Sequence, residues 1–417
     1  MSSSGAPKIA AVLAVTEFRA LWLAEAQSIA GDQLAKVALM ILVYNRTGSA
    51  WWAAAVYALT FLPALAGGLG LSQLADAYPR RTVMVVSYLI QAALVGLMAI
   101  PGMPIWALCV LVVGVTLVHS PALAAQQSTS REVFTDDALY LRSQDLRGIT
   151  TNTLMLLGLA GGGLLVVGIG TSWALAIDAL TFAISAAVVA RWVVNRPAAA
   201  SKQNGWFDGA RFVFGERRMR LLVALGWMVG LVVIPEGLAA PLAHEVGSDG
   251  AAVGWLLAAD PLGFVVGTFV LSHFVEARAR VRIIGVLATA AAAMLIMFFA
   301  HPNLAVALLL LACAGALGAY QITVSATFNT WAPNEIRGGA FGVYRTGLRV
   351  AQGVGVALGG AVAQLTGSAI TTIALAGVAA VAIALPVTIS WGRLQGAERA
   401  KPRLDQPLGR PSEAPST

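Results

Sequence analysis

The feature that most constrains this chain is a succession of about twelve apolar segments, each close to 20 residues long. An α-helix needs about that length to cross the hydrocarbon core of a bilayer. Because lipid offers no partners to backbone N–H and C=O groups, segments of this length cross as helices. The predicted spans lie near residues 20–44, 50–74, 82–100, 104–127, 148–169, 172–195, 220–243, 251–274, 282–300, 304–330, 341–366 and 369–392. The sequence therefore predicts an all-α membrane protein.

The composition supports lipid as the solvent of most of the outer surface. Only 11% of the residues are charged and 58% are hydrophobic, whereas soluble proteins carry about 25% charged residues. The net charge of +7 could indicate nucleic-acid binding in a soluble protein, but here basic residues are expected in cytoplasmic loops. We predict no nucleic-acid partner. Lys8, Glu17 and Arg19 interrupt the first 20 residues, so we expect no cleavable signal peptide.

Basic residues are distributed very unevenly about the predicted spans. If both termini are cytoplasmic, 25 of the 27 Lys and Arg residues lie in cytoplasmic segments or helix ends, and Arg46 and Lys36 are the exceptions. The positive-inside rule therefore favours this orientation and an even number of spans. We predict a multi-pass protein of a bacterial inner membrane. Tryptophans fall near the predicted interfaces: Trp51, Trp52, Trp106, Trp173 and Trp255 outside, and Trp192 and Trp391 inside.

The chain divides into two similar halves. Residues 1–195 and 220–396 are each predicted to hold six helices, joined by a cytoplasmic linker, 196–219, in which aromatic and charged residues alternate as in an interfacial amphipathic helix. Residues 397–417 are predicted to be a disordered cytoplasmic tail. Internal repeats support a duplicated unit: Ser72, Asp76 and Arg80 correspond to Ser272, Glu276 and Arg280, and Arg147, Gly161 and Gly162 correspond to Arg345, Gly359 and Gly360. Many secondary transporters are built in this way.

No pattern indicates an enzyme, a metal site or a cofactor. Cys109 and Cys313 lie in apolar segments, and the four histidines are scattered singly. The glycine-rich run 158–163 lacks the Lys-Ser/Thr of a phosphate loop and suits close helix packing instead.

The stretch from Ser72 to Arg81 resembles the loop motif that follows the second helix in the major facilitator superfamily. Asp76, Arg80 and Arg81 match the motif, whereas Ser72 and Pro79 replace its two glycines. Residues 18–48, 158–162 and 333–338 resemble the drug- and siderophore-exporter branch, which includes the enterobactin exporter. The resemblance implies twelve helices in two pseudo-symmetric six-helix bundles, with a cytoplasmic gate. Its predicted members are Asp76, Arg80, Arg81, Glu276, Arg280, Arg147 and Arg345.

Ionisable residues inside the spans are candidates for ion coupling, because charges at bilayer depth are costly. Burial favours the protonated form of a carboxylate, so such a group can carry a proton between the two sides. Our candidates are Asp32, Glu25, Glu236 and Asp260. The alternatives are a structural Asp32–Lys36 ion pair, a solvated Glu25, and structural hydrogen bonds for Glu236 and Asp260. Asp178 is shallower and more typical of a structural residue. The predicted substrate cavity comprises Asp32, Tyr57, Phe61, Phe264 and Tyr320, although lipid or core contact is an equal alternative for the aromatic residues.

These features predict a secondary transporter, a proton-coupled antiporter that exports an amphipathic drug, antibiotic or siderophore by alternating access. Its predicted partners are the small-molecule substrate, protons and the lipid bilayer, and the predicted state is a monomer. Three alternatives remain: an uptake symporter for a metabolite, a non-transporting scaffold or lipid-handling protein, and, least favoured, an intramembrane enzyme.

Overall fold

The structure is a computed structural model that describes residues 9–63, 77–134, 136–196, 206–248, 250–333 and 336–400. All regular secondary structure in these ranges is helical. Eleven of its helical segments are long and apolar enough to cross a membrane. The all-α prediction is therefore confirmed.

The first half contains seven described helices. Five of them are long: α2 (Thr16–Thr47), α4 (Arg80–Met98), α5 (Ile105–Val133), α6 (Asp137–Ile169) and α7 (Thr171–Trp192). Two are short: α1 (Ile9–Leu13) and α3 (Ala50–Ala58). The second predicted span begins at α3, but most of its remainder, residues 64–76, lies outside the described residues together with Asp76.

The linker and the second half contain eleven described α-helices. The linker helix is α8 (Trp206–Gly215). The next predicted span is divided into α9 (Arg217–Trp227), α10 (Val229–Val232), α11 (Ile234–Gly237) and α12 (Ala239–Glu245). Then follow α13 (Gly250–Phe274), α14 (Ala277–Ile296) with a 3-10 turn at Met297–Ala300, α15 (Leu304–Gly318), α16 (Tyr320–Trp331), α17 (Arg337–Thr366) and α18 (Ala369–Ala400). Residues 397–400 continue α18, and the rest of the predicted tail lies outside the described residues.

The division of the seventh span has a local cause. Pro235 lacks an N–H group and cannot continue the helical hydrogen bonding of the preceding turn. Glycines then let this irregular segment pack closely on α17: a Cβ on Gly230 would overlap the backbone of Ala351, and a Cβ on Gly355 would overlap that of Gly230. Such close backbone contact is typical of small residues in membrane helix pairs.

The two halves contact each other at one end of the bundle. A Cβ on Gly163 of α6 would lie 2.7 Å from the Ala251 carbonyl oxygen and 2.9 Å from the Gly254 nitrogen of α13. At the same end, the Ser49 hydroxyl donates to Gln364 Oε1 at 2.8 Å, between the start of α3 and the end of α17. This end is the one that the basic residues predict to be extracytoplasmic. The described side-chain hydrogen bonds between the halves all lie on this side of the cavity described below.

Candidate functional site

A cavity of about 480 Å³ lies between the two halves. Pockets for small molecules have volumes of about 300–1,000 Å³. Three helices each present one face to the cavity, as the spacing of three or four residues between their lining positions shows. The lining positions are 32, 35, 36 and 39 on α2, positions between 112 and 127 on α5, and 342, 345, 346 and 349 on α17. Its wall combines apolar side chains, such as Leu39, Met98 and Val112, with a group of ionisable ones. The cavity can therefore accept an amphipathic molecule.

Asp32 is the predicted proton carrier that the structure places in this cavity. It stands about 24 Å along α2 from Thr16, near the middle of this 32-residue helix. Among the described residues, no hydrogen bond or ion pair within 4 Å holds its carboxylate, and Lys36 is therefore not in direct contact with it. His119 and Lys36 line the same cavity. Asp32 is available to exchange a proton or to contact a substrate.

Asp178 is a second carboxylate in the cavity, and sequence analysis gave it less weight than the others. Its side chain is 1% exposed, and Thr181 donates to its Oδ1 at 3.3 Å. A Cβ on Gly31 would overlap Asp178 Oδ1, so the missing side chain lets α7 approach α2 beside Asp32. In the sequence, Asp178 is recognisable only as a single carboxylate in an apolar segment. The proximity of Asp178 to Asp32 depends on how α2 and α7 pack.

The second half contributes positive charge to the cavity. Arg345 and Arg349 lie one turn apart on α17 and line the cavity, with exposed side chains. The Arg349 guanidinium lies 5.7 Å from the centre of the Phe61 ring, a cation–π distance. Neither arginine forms an ion pair with an acid in the described residues. With Lys36, the wall carries three basic side chains and two carboxylic ones.

Glu236 connects the two halves at the closed end of the cavity. The Tyr57 hydroxyl of α3 donates to Glu236 Oε2 of α11 at 2.6 Å. Tyr57 is 7% exposed and packs edge to face on Phe61, with ring centres 5.4 Å apart. Tyr57 and Phe61, both predicted to line a substrate cavity, thus form part of the contact that closes this end of the cavity.

We expect Tyr57→Phe to weaken this closure, because it leaves a buried carboxylate without its donor, at a cost of about 1–3 kcal/mol. Outward opening should become roughly tenfold more populated. The measurement is labelling by an impermeant maleimide from the outside, at the thiol introduced by Ser120→Cys in a Cys109→Ala/Cys313→Ala chain. Tyr44→Phe is the matched control, since the Tyr44 hydroxyl makes no side-chain hydrogen bond with described residues. Equal labelling in both variants would contradict the expectation.

Glu25 lies in a different environment from Asp32. Arg147 of α6 binds it through two parallel hydrogen bonds, Nε to Oε2 at 2.6 Å and Nη2 to Oε1 at 2.8 Å. The side chains of Arg147 and Glu25 are 9% and 15% exposed. This pair borders a second, polar pocket, and Gln127 lies on both that pocket and the central cavity. A bidentate pair of this kind is strong and directional, and it fixes α2 against α6.

The predicted gate residues of the first half form contacts within that half. Arg80 forms an ion pair with Glu132 at the end of α5, and Arg81 donates to the Ala190 carbonyl of α7. Arg196 also approaches Glu132, at 3.8 Å, and binds Glu17 at 2.5 Å. Hydrogen bonding to Glu17 raises the pKa of Arg196 above its ordinary value. This network joins the starts of α2 and α4, the end of α5 and the segment after α7.

The remaining predicted residues lie apart from the central cavity. Asp260 and Phe264 are partly buried on α13, and neither lines the cavity. Tyr320 is 2% exposed in the core of the second half, where its hydroxyl donates to the Leu225 carbonyl at 2.9 Å. Glu276 precedes α14 with an exposed side chain, and Arg280 lines a pocket at the start of α14.

Known proteins are similar to this chain in sequence. The family model for the Major Facilitator Superfamily matches residues 220–412. The multidrug efflux pump Tap of Mycobacterium tuberculosis and of Mycobacterium bovis is 28% identical in an alignment of 372 residues, which covers 83% of this chain and 87% of Tap.

Solved structures show the same fold. A bacterial homologue of the human lysosomal transporter Spinster, in an inward-facing and unoccupied conformation, superposes with a TM-score of 0.73 at 15% identity, covering 95% of this chain and 100% of that one. The nucleoside transporter NupG gives a TM-score of 0.70 at 16% identity, covering 91% of this chain and 99% of that one. The helical spans and these matches show a multi-pass membrane protein with the fold of the major facilitator superfamily, and they make the chain similar to transporters of that superfamily, among them a drug exporter.

Proposed function

We propose that this transporter is a proton-coupled antiporter that exports an amphipathic small molecule. One observation carries the proposal: a mixed apolar and charged cavity between the two halves contains an unpaired carboxylate, Asp32, at mid-depth. A carboxylate there can bind a proton when substrate is absent and release it when substrate arrives. The multidrug efflux activity in the name of Tap supports export over uptake.

The closed end supports alternating access. With the predicted orientation, the contacts between α6 and α13 and between α3 and α17 close the outer side, and the cavity lies on the cytoplasmic side of them. This corresponds to a state that accepts substrate from the cytoplasm. Export then requires these contacts to separate while the cytoplasmic ends of the halves approach each other.

We assign the proton to Asp32, with Asp178 as its neighbour, in preference to the other predicted carriers. Glu25 is held by Arg147 and Glu236 by Tyr57, so both have structural partners. Asp260 does not line the cavity. His119 acts on Asp32 electrostatically and lies on the same wall, where it can relay protons.

The charged side chains of the cavity wall also indicate which kind of substrate fits the cavity. Lys36, Arg345 and Arg349 outnumber the carboxylates of Asp32 and Asp178. A substrate with an acidic group beside its apolar surface therefore fits this wall better than a purely cationic one.

The test is substrate flux in inverted membrane vesicles that contain the wild-type chain. We expect an acid-inside pH gradient to drive accumulation of zwitterionic or anionic amphipathic compounds, and a protonophore to abolish it. Accumulation that follows ATP, or that survives the protonophore, would contradict proton coupling. Efflux under the same gradient would favour the uptake symporter.

A further inference from the structure

The two halves differ at one pair of equivalent arginines. Arg80 opens α4 and forms an ion pair with Glu132. The 200-residue repeat relates Arg80 to Arg280 of α14, and at the same offset Glu132 corresponds to Ala332. The second half therefore has the arginine but lacks the acid that neutralises it in the first half.

A pocket of about 540 Å³ lies beside Arg280 and extends to Trp331, the neighbour of Ala332. It is bounded by the start of α14, by one face of α16 and by Gln395 near the end of α18. Three arginines on α14, Arg278, Arg280 and Arg282, line it together with the hydroxyl-bearing Thr323 and Thr330 of α16. Guanidinium groups combined with hydroxyl groups form the donor set that binds phosphate.

The arginines have no protein counterion in the part of the chain that the structure describes. None of the three forms an ion pair there, and Glu276, the acid just before α14, is exposed and makes none with them. The Nε atom of Arg280 is enclosed by protein but has no acceptor. An exogenous anion in the pocket would supply the missing counterion to the guanidinium groups that line it.

The helices that line the pocket are held together by hydrogen bonds and ring packing. Trp391 Nε1 and Gln395 Nε2 of α18 both donate to the Val281 carbonyl of α14, at 2.9 and 3.0 Å. Trp391 is 1% exposed and lies 5.8 Å, ring centre to ring centre, from Trp331 of the pocket wall. The arginines therefore extend from a preformed surface, which lowers the entropy lost on binding.

The surroundings favour a lipid as the source of the phosphate. The predicted orientation places the start of α14 at the cytoplasmic interface. Ile322, on the pocket wall, is 44% exposed, and Val286, two turns along α14 from Arg278, is 59% exposed. These apolar surfaces continue from the basic pocket in the direction of the bilayer, as a headgroup with attached acyl chains requires.

We propose that this pocket binds the phosphate of an anionic phospholipid from the cytoplasmic leaflet. Basic pockets between helices at this level are suited to such headgroups. The bound phosphate supplies to Arg280 the negative charge that Glu132 supplies to Arg80.

The test is native mass spectrometry of the purified full chain in detergent, titrated with phosphatidylglycerol or with phosphatidylcholine of the same acyl chains. We expect Arg280→Gln/Arg282→Gln to bind phosphatidylglycerol about thirtyfold more weakly, with phosphatidylcholine unchanged. Arg211→Gln/Arg217→Gln is the control with the same loss of charge, at exposed positions away from the pocket. Ala326→Phe, which fills the pocket without changing charge, should also weaken phosphatidylglycerol binding.

A further titration with inorganic phosphate distinguishes the sources. If millimolar phosphate leaves bound phosphatidylglycerol in place, the ligand is the lipid, as proposed. Displacement by phosphate alone would assign the pocket to a soluble phosphate compound and overturn the lipid assignment. Phosphatidylglycerol binding that is equal in the wild type and the Arg280→Gln/Arg282→Gln variant, or reduced equally in the control variant, would overturn the proposal altogether.

Discussion

Gly163→Val is expected to reduce transport by at least about a hundredfold while leaving the protein folded in an outward-open state. The Cβ that it adds would lie 2.7 Å from the Ala251 carbonyl oxygen, 2.9 Å from the Gly254 nitrogen and 3.1 Å from the Gly250 carbonyl oxygen. All three are backbone atoms, so no side-chain rotation relieves the overlap. Because α6 and α13 then cannot meet, the outer side cannot close. Destabilising the closed state by about 3 kcal/mol relative to the outward-open state lowers the population of the closed state about a hundredfold.

The matched control is Gly161→Val, on the same helix. A Cβ at Gly161 has no neighbour within 4 Å, so this variant has the same change in helix propensity without the overlap. Substrate flux and outside labelling of the Ser120→Cys thiol are measured in both variants. We expect the Gly163→Val chain to lose flux and to gain outside labelling, and the control to behave as the wild type. Normal flux in Gly163→Val would show that α6 and α13 do not close during the cycle.

The second large effect is expected on the free energy of unfolding, when the Glu25–Arg147 pair is broken. Either Glu25→Gln or Arg147→Gln leaves one largely buried charge without its partner, which costs about 3–5 kcal/mol. The Glu25→Gln/Arg147→Gln double variant removes both charges, so its free energy of unfolding should lie closer to that of the wild type than the sum of the single changes predicts. The temperature of unfolding is measured in detergent with a thiol-reactive dye, which reports exposure of the half-buried Cys109 and Cys313.

Arg131 provides the control for the substitutions at Glu25 and Arg147. It pairs with Asp137 at 2.7 Å, but the two side chains are 52% and 79% exposed. Arg131→Gln should therefore change the stability by less than about 1 kcal/mol. Additive effects at Glu25 and Arg147 would contradict the view that they act as a pair and would restore Glu25 as a candidate proton carrier.

The span pattern could be predicted from the sequence because length and hydropathy determine it. Its boundaries were less accurate where polar residues extend a helix: α6 begins at Asp137, eleven residues before the predicted span at 148, and these additional turns carry Arg142, Asp145 and Arg147. The seventh span was predicted as one helix, but it divides into four segments around Pro235.

The site was less predictable, because its residues meet across the fold. Sequence analysis identified Asp32 from its depth in α2, which is local information. The partners of the other carboxylates are distant: 122 residues separate Glu25 from Arg147, and 179 separate Tyr57 from Glu236. The position of Asp178 beside Asp32 could not be predicted, because it depends on the close approach of α2 and α7 at Gly31.

Proton coupling through Asp32 is the central claim, and purified protein in liposomes tests it most directly. Two activities are compared in the wild type and in Asp32→Asn: substrate accumulation driven by a pH gradient, and exchange of labelled for unlabelled substrate without a gradient. We predict that Asp32→Asn retains exchange but loses gradient-driven accumulation, because the amide fills the same space and cannot carry a proton. Accumulation at the wild-type level in Asp32→Asn would contradict the claim.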